Sequence, residues 1–301
     1  MKRLAEFILR GLPQAVAAAA GFSLLGLLLP PLGVLSSAVV GLVALSVGLM
    51  QAIYVTAISS VLLAVGVIAM NQPAAIGILS GIAQWLPVAL LGALLARTVS
   101  WSLVMQAAFA TGVVAVVLLY LLFPDIDRFW VETLQRLMQP ALEQGGTQQS
   151  ENVGKTLESI APIMTGVLVS AFVLTALLAL MLARSMQASV ENPGGFAREF
   201  QELRIGIWPA GVAILFVVLA TLTGAPWANA LASVAMTVFL VQGFALVHGL
   251  VARIGWPRGS IIGLYVMLVI FLTPVVVIMA GLGIVDAFAD FRRRLDNSPA
   301  E

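Results

Sequence analysis

Apolar side chains fill this chain in long blocks, and polar residues interrupt them at only a few points. Residues 11–96, 98–124, 159–183, 205–252 and 259–285 contain no Asp, Glu, Lys or Arg. A helix needs about 20 mostly apolar residues to cross roughly 30 Å of hydrocarbon, and its backbone must bond within itself because lipid offers no partners. Blocks of this length predict spanning helices rather than barrel strands. Pro30-Pro31, Gly48 to Gln51 and Asn71-Gln72-Pro73 divide the first block into helices near 12–29, 33–49, 52–70 and 74–96. Five more follow near 101–123, 160–183, 206–223, 228–251 and 261–285, with the turn Gly224-Ala225-Pro226-Trp227 between the seventh and eighth. The second segment, short and Gly-rich, is expected to be tilted, broken or packed inside the bundle, where irregular backbone is tolerated.

Two hydrophilic segments separate the spans. Residues 124–159 hold six acidic residues against Arg128, Arg136 and Lys155. There Trp130, Leu134, Leu137 and Met138 share one helical face, with Asp125 or Asp127 placed to cap the start. The pattern fits an amphipathic helix lying on the outer bilayer surface or covering the outer mouth of the bundle. Gln144 to Gly154 reads as a flexible tip. Residues 184–204 contain the turn Asn192-Pro193-Gly194-Gly195 and the amphipathic run Phe196 to Arg204. Lys and Arg concentrate on the cytoplasmic side, which places 184–204 inside and 124–159 outside. Nine crossings from an inside N-terminus would put Arg292, Arg293 and Arg294 outside, against that bias. Eight crossings with both termini inside remove the conflict, either because 33–49 stops short of spanning or because the Arg253–Arg258 loop is not cytoplasmic. The expected fold is all-α: one polytopic transmembrane bundle of eight or nine helices, embedded in a bacterial inner membrane. Met1-Lys2-Arg3 and Arg10 before the first apolar run read as the start of an uncleaved helix.

Composition agrees: 61% of residues are hydrophobic and 10% charged, whereas soluble domains average roughly 45–50% apolar and about 25% charged. The chain has no Cys and one His, so thiolate chemistry and a histidine-built metal site are excluded, and no metal or cofactor is expected. A net charge of +1 gives no footprint for nucleic acid. Gly154-Lys155-Thr156 is no P-loop, because Gln149 stands where that motif requires Gly.

Functional charge inside a membrane is costly and marks ion or proton pathways, and the predicted spans hold none. Proton relays and membrane enzymes built on buried carboxylates therefore lose their usual groups, and an enzyme is not expected. Neutral polar residues remain, chiefly Gln84, Gln106 and Gln242, with His248 near a membrane boundary. A primary amide in hydrocarbon must be hydrogen-bonded, so each Gln either ties helices together, the ordinary role, or faces a ligand cavity. Gly77 and Gly81 show a GxxxG spacing that lets helices approach closely.

Several short motifs occur in a recognisable order. Pro30-Pro31 follows the first helix, Gly92 to Ser100 closes the fourth, Gln242-Gly243 lies in a late helix, and Gly283-x-x-Asp286-x-x-x-Asp290-Phe291-Arg292 closes the chain. Together they resemble the YybS-like family of bacterial membrane proteins, a domain of unknown function. That family is similar, distantly, to the substrate-binding components of energy-coupling-factor transporters and to the cell-shape protein MreD. The resemblance, with the buried amides, points to a non-enzymatic solute-binding or transport component for a neutral or amphipathic ligand, and the polar residues read from the spans themselves, Gln84, Gln106, Gln242 and His248, are the candidate ligand-binding residues. It also implies a membrane protein partner docked on the first helix at Ala15 and Ala19. The alternative is a scaffold for envelope or cell-shape proteins.

Overall fold

The computed structural model describes residues 1–144, 146–257 and 259–296, and the side chains among them other than 140–152 and 296. Among these residues there are fourteen helices and no strand. A short amphipathic α1 (Lys2–Ile8) precedes α2 (Leu12–Gly26), α3 (Pro31–Ser46), α4 (Leu49–Ala69), α5 (Ala74–Thr98) and α6 (Trp101–Leu122). Then come α7 (Ile126–Gln144), α8 (Gly146–Glu191), α9 (Gly195–Gln201), α10 (Ile207–Thr223) and α11 (Pro226–Ile254). The chain closes with α12 (Gly259–Ile270), α13 (Leu272–Ala289) and α14 (Phe291–Asp296). Proline near the start of α2, α3 and α11 sits where its missing N–H costs nothing.

Six helices are long and apolar enough to cross a membrane: α4, α5, α6, α8, α11 and α13. Against the expected eight or nine, the number of helices of full spanning length among the described residues is corrected to six, because α2, α3 and α10 have only 15, 16 and 17 residues. At 1.5 Å per residue such helices reach about 22–26 Å, short of the full hydrocarbon thickness. The backbone still passes from one end of the bundle to the other in α2 to α6, α8, α10 and α11.

Two centres organise the packing. Every residue of α3 from Ser36 to Ala44 is buried, so this segment is interior, one of the expected alternatives. It packs against α2, α5 and α8, and α11 packs against α6, α8, α10 and α13, so that α8 joins the two groups. Small residues set the spacing: a Cβ at Gly77 would strike the backbone of Ala64, and one at Gly81 would lie 2.6 Å from Ser60 Oγ. The GxxxG face thus seats α5 directly on α4.

The segment expected to be a ninth span does not cross. It breaks at Phe271, whose φ of −122° and ψ of 56° leave the helical region. Pro274 gives the physical reason, since its ring would collide with the carbonyl four residues earlier, Ile270. α12 begins a short link after the end of α11, and α13 returns to that same end, where Arg292 lies against Gly249. The pair is re-entrant, and α14 lies at the same end of the bundle as α1. Of the two reasons anticipated, the first is met in that α3 has only 16 residues, but the segment after α11 also turns back on itself.

At the opposite end α7 packs along the first part of α8, with Trp130 Nε1 donating to Thr165 Oγ1 at 2.9 Å. The 46 residues of α8 extend about 69 Å, twice what a bilayer needs. The 124–159 segment is therefore a helical hairpin. Backbone 146–154 of the expected flexible tip is helical, and Gly145 lies outside the described residues.

Candidate functional site

The end of the bundle that carries α1 and α14 holds most of the ionic chemistry among the described residues. Between α9 and α10 the chain runs extended, and Leu203 and Ile205 point inward with 2% and 0% exposure while Arg204 between them is half-buried. Extended backbone inside a membrane protein cannot satisfy its own peptide groups. Neighbouring side chains supply the partners. Gln106 on α6 donates through Nε2 to the Ile205 carbonyl at 2.6 Å, and the Ile205 N–H donates to Gln242 Oε1 on α11 at 2.8 Å. Arg292 on α14 donates to the carbonyls of Gln201 and Leu203 at 3.0 and 2.9 Å.

These clamps converge on Asp286, whose Oδ2 accepts from Gln242 Nε2 at 3.1 Å and from Arg292 Nη2 at 3.0 Å. The side chains of Arg292 and Asp286 are 3% and 0% exposed. Burial lowers the Arg292 pKa below the usual guanidinium value, aided by the positive charges of Arg204 and Arg253 and opposed by Asp286. The expected end of the last apolar helix at residue 285 is corrected here. α13 continues to Ala289, so Asp286 belongs to the helix rather than to a loop beyond it. Close approach of α13 to α11 makes the contact possible: a Cβ at Gly243 would collide with the Met279 carbonyl oxygen, and one at Gly283 with that of Phe239.

Three further ion pairs surround this centre: Arg204 with Asp290, Arg253 with Glu202, and Arg184 with Glu199. Burial pushes the Glu199 carboxyl upward, but hydrogen bonds from Arg184 and Trp101 and the Arg184 charge outweigh it and hold the group below its ordinary value. Beside these pairs opens a cleft of about 1070 Å³, with Trp101, Arg198, Glu202, Arg204, Ile207 and Trp208 among its walls. Val99, at the rim, has φ +51°. A β-branched residue seldom adopts that conformation, and such strain concentrates at functional sites. Trp208 is 89% exposed at the first turn of α10.

The expected ligand residues divide. Gln106 and Gln242 meet at Ile205, under the cleft. Gln84 lies elsewhere, donating to the Gly33 carbonyl at 2.9 Å and to Ser37 Oγ at 3.1 Å, and so joins α5 to α3. His248 contacts the Phe244 carbonyl through Nδ1 at 2.8 Å and Tyr265 through Nε2 at 3.4 Å, with Phe200 against its ring. Ala15 and Ala19 are 2% and 0% exposed. Ser36 of α3 donates to the Ala19 carbonyl, so this stripe faces the protein's own helices and presents no open docking face. Sequence reasoning passed over Asp286, Arg292, Arg204 and Glu199 as site residues. The closing Gly-Asp-Asp-Phe-Arg motif carried the available signal for the first two.

Among the described residues no group of three or more His, Asp or Glu is arranged to hold a metal ion. Residues 17–287 match the family model described as "Predicted membrane protein (DUF2232)". No curated protein and no solved structure matches the chain. The chain belongs to this family of predicted membrane proteins, consistent with the YybS-like resemblance.

Proposed function

Taking that family membership as the premise, we propose that the protein is a non-enzymatic binding or transport component of a bacterial inner membrane, and that it receives an amphipathic ligand in the cleft beside α9. The observation that carries this reading is the cleft itself. It is open, large enough for a small molecule, and combines charged groups with exposed apolar side chains where membrane helices α6 and α10 begin. Ile207 and Trp208 form the apolar rim, and Trp is favoured at the membrane–water boundary. The link over Gln106 and Gln242 forms a floor in which the Ile205 N–H and the Leu203 and Ile205 carbonyls are already hydrogen-bonded. An entirely neutral ligand loses its rationale, since that rested on an absence of buried charge.

Mass spectrometry of organic extracts tests the reading. An amphiphile should copurify with wild-type protein in mild detergent and be depleted at least several-fold from Trp208→Glu, which adds charge to the rim at an exposed position. Identical extracts from two monodisperse samples would overturn it. A second reading, a scaffold for envelope proteins, is favoured by the α7–α8 hairpin, where Phe129 and Leu137 are 58% and 71% exposed. Loss of copurifying envelope proteins from Phe129→Glu/Leu137→Glu, with the extract unchanged, would select it.

A further inference from the structure

The charges of the cleft specify the head of its ligand. Glu199 is held by Arg184 and Trp101, Glu202 by Arg253, and Arg204 by Asp290. Each carboxylate in the wall is thus neutralised by an arginine, and each of those arginines is neutralised in turn. Arg198 is different. It lines the cleft and is exposed, and among the described residues its guanidinium has no hydrogen-bond or ion-pair partner. The cleft therefore carries one uncompensated positive charge, on a side chain whose planar donors suit the paired oxygens of phosphate or carboxylate. Ser100, also in the lining, accepts from the Leu103 N–H and keeps its hydroxyl proton to donate, whereas Ser102 already donates to the Ile205 carbonyl.

We infer that the cleft holds an anionic amphiphile with its phosphate head at Arg198 and its apolar tail passing over Ile207 and Trp208 toward the lipid. The inference rests on the proposed binding function and names the chemical class of ligand for that site. Head and tail have separate physical supports. Long-range attraction from one arginine is screened by salt within about 8–10 Å, so an anion without a tail is held weakly and apolar contact supplies the remainder. Zwitterionic lipid brings the same tail with no net charge to satisfy Arg198.

Native mass spectrometry of the full-length protein separates these contributions. The ligands would be phosphatidylglycerol, phosphatidylcholine with identical chains, monoolein and inorganic phosphate, each against wild type, Arg198→Gln and, as a control at the other end, Arg136→Gln. Wild type and Arg136→Gln should retain phosphatidylglycerol at least fivefold better than phosphatidylcholine or monoolein, and Arg198→Gln should lose that preference. Phosphate should bind no better than monoolein. Equal binding of all three amphiphiles, unchanged in Arg198→Gln, would overturn the anionic head while leaving the amphiphile-binding function standing. Phosphate bound as well as phosphatidylglycerol would overturn the tail and identify a free oxyanion. Failure of every amphiphile to bind would remove both the inference and the function beneath it.

Discussion

Asp286 and Arg292 do the most to hold the cluster together, because each is buried and pairs directly with the other's charge. Removing one member of a buried pair leaves the other uncompensated, at a cost of about 3–5 kcal/mol, whereas replacing both with apolar residues of similar size is far milder. Asp286→Leu and Arg292→Met should each lower the thermal midpoint sharply in detergent, and the double substitution should recover much of the loss. Additive losses would mean that the pair does not act as a unit. Glu199 gives a dependence on pH. Its folded pKa lies below the ordinary 4.5, so its contribution is complete above about pH 4.5 and fades as pH falls through the lowered folded value. The stability advantage of wild type over Glu199→Gln should hold from pH 7 to 5 and shrink below 4.5; an advantage growing with acidity would reverse the assigned sign. These roles were hard to read in the sequence. Gln106 and Gln242 stood out because an amide is conspicuous in an apolar run, but their common partner is a peptide group at Ile205, and backbone partners leave no trace in side-chain patterns. Asp286 was hidden by lying one residue past a charge-free block.

Among the elements, α11 and α13 depend on two glycines at their closest approach. Gly283→Ala places a methyl group against the Phe239 carbonyl oxygen, and overpacking of this kind costs about 1–3 kcal/mol. Gly281, whose added Cβ would meet nothing within 4 Å, is the matched control, so Gly281→Ala should leave the midpoint nearly unchanged while Gly283→Ala lowers it. Equal effects would show that helix propensity rather than contact governs both. Helix existence was legible because charge-free blocks and Pro or Gly punctuation fall where helices begin and end. Helix direction was not. The 261–285 block is long enough to span, and only Pro274 signals the break at Phe271, a signal that many kinked but continuous spans share. α7 and the start of α8 were readable as amphipathic, yet an apolar stripe does not reveal that its partner is the next helix in sequence.

For the molecule as a whole, the re-entrant pair decides how the charges are distributed. Lys2, Arg3, Arg10, Arg97, Arg184, Arg198, Arg204, Arg253, Arg292, Arg293 and Arg294 lie at the end with the cleft, against Arg128, Arg136 and Lys155 at the hairpin end. Basic residues favour the cytoplasm, so the proposed orientation has the cleft opening inward, with the proposed ligand reaching it from the cytoplasmic leaflet. A ninth crossing would instead carry α14 away from Gln201 and Leu203 and dismantle the clamp beneath the cleft. Single-cysteine labelling tests this arrangement most directly, since the chain has no cysteine of its own. Gln72→Cys, in the link between α4 and α5, should react with a membrane-impermeant thiol reagent in intact cells, while Glu191→Cys and Leu295→Cys should react only after the membrane is opened. Labelling of Leu295→Cys in intact cells alongside Gln72→Cys would contradict the re-entrant fold and the cleft built upon it.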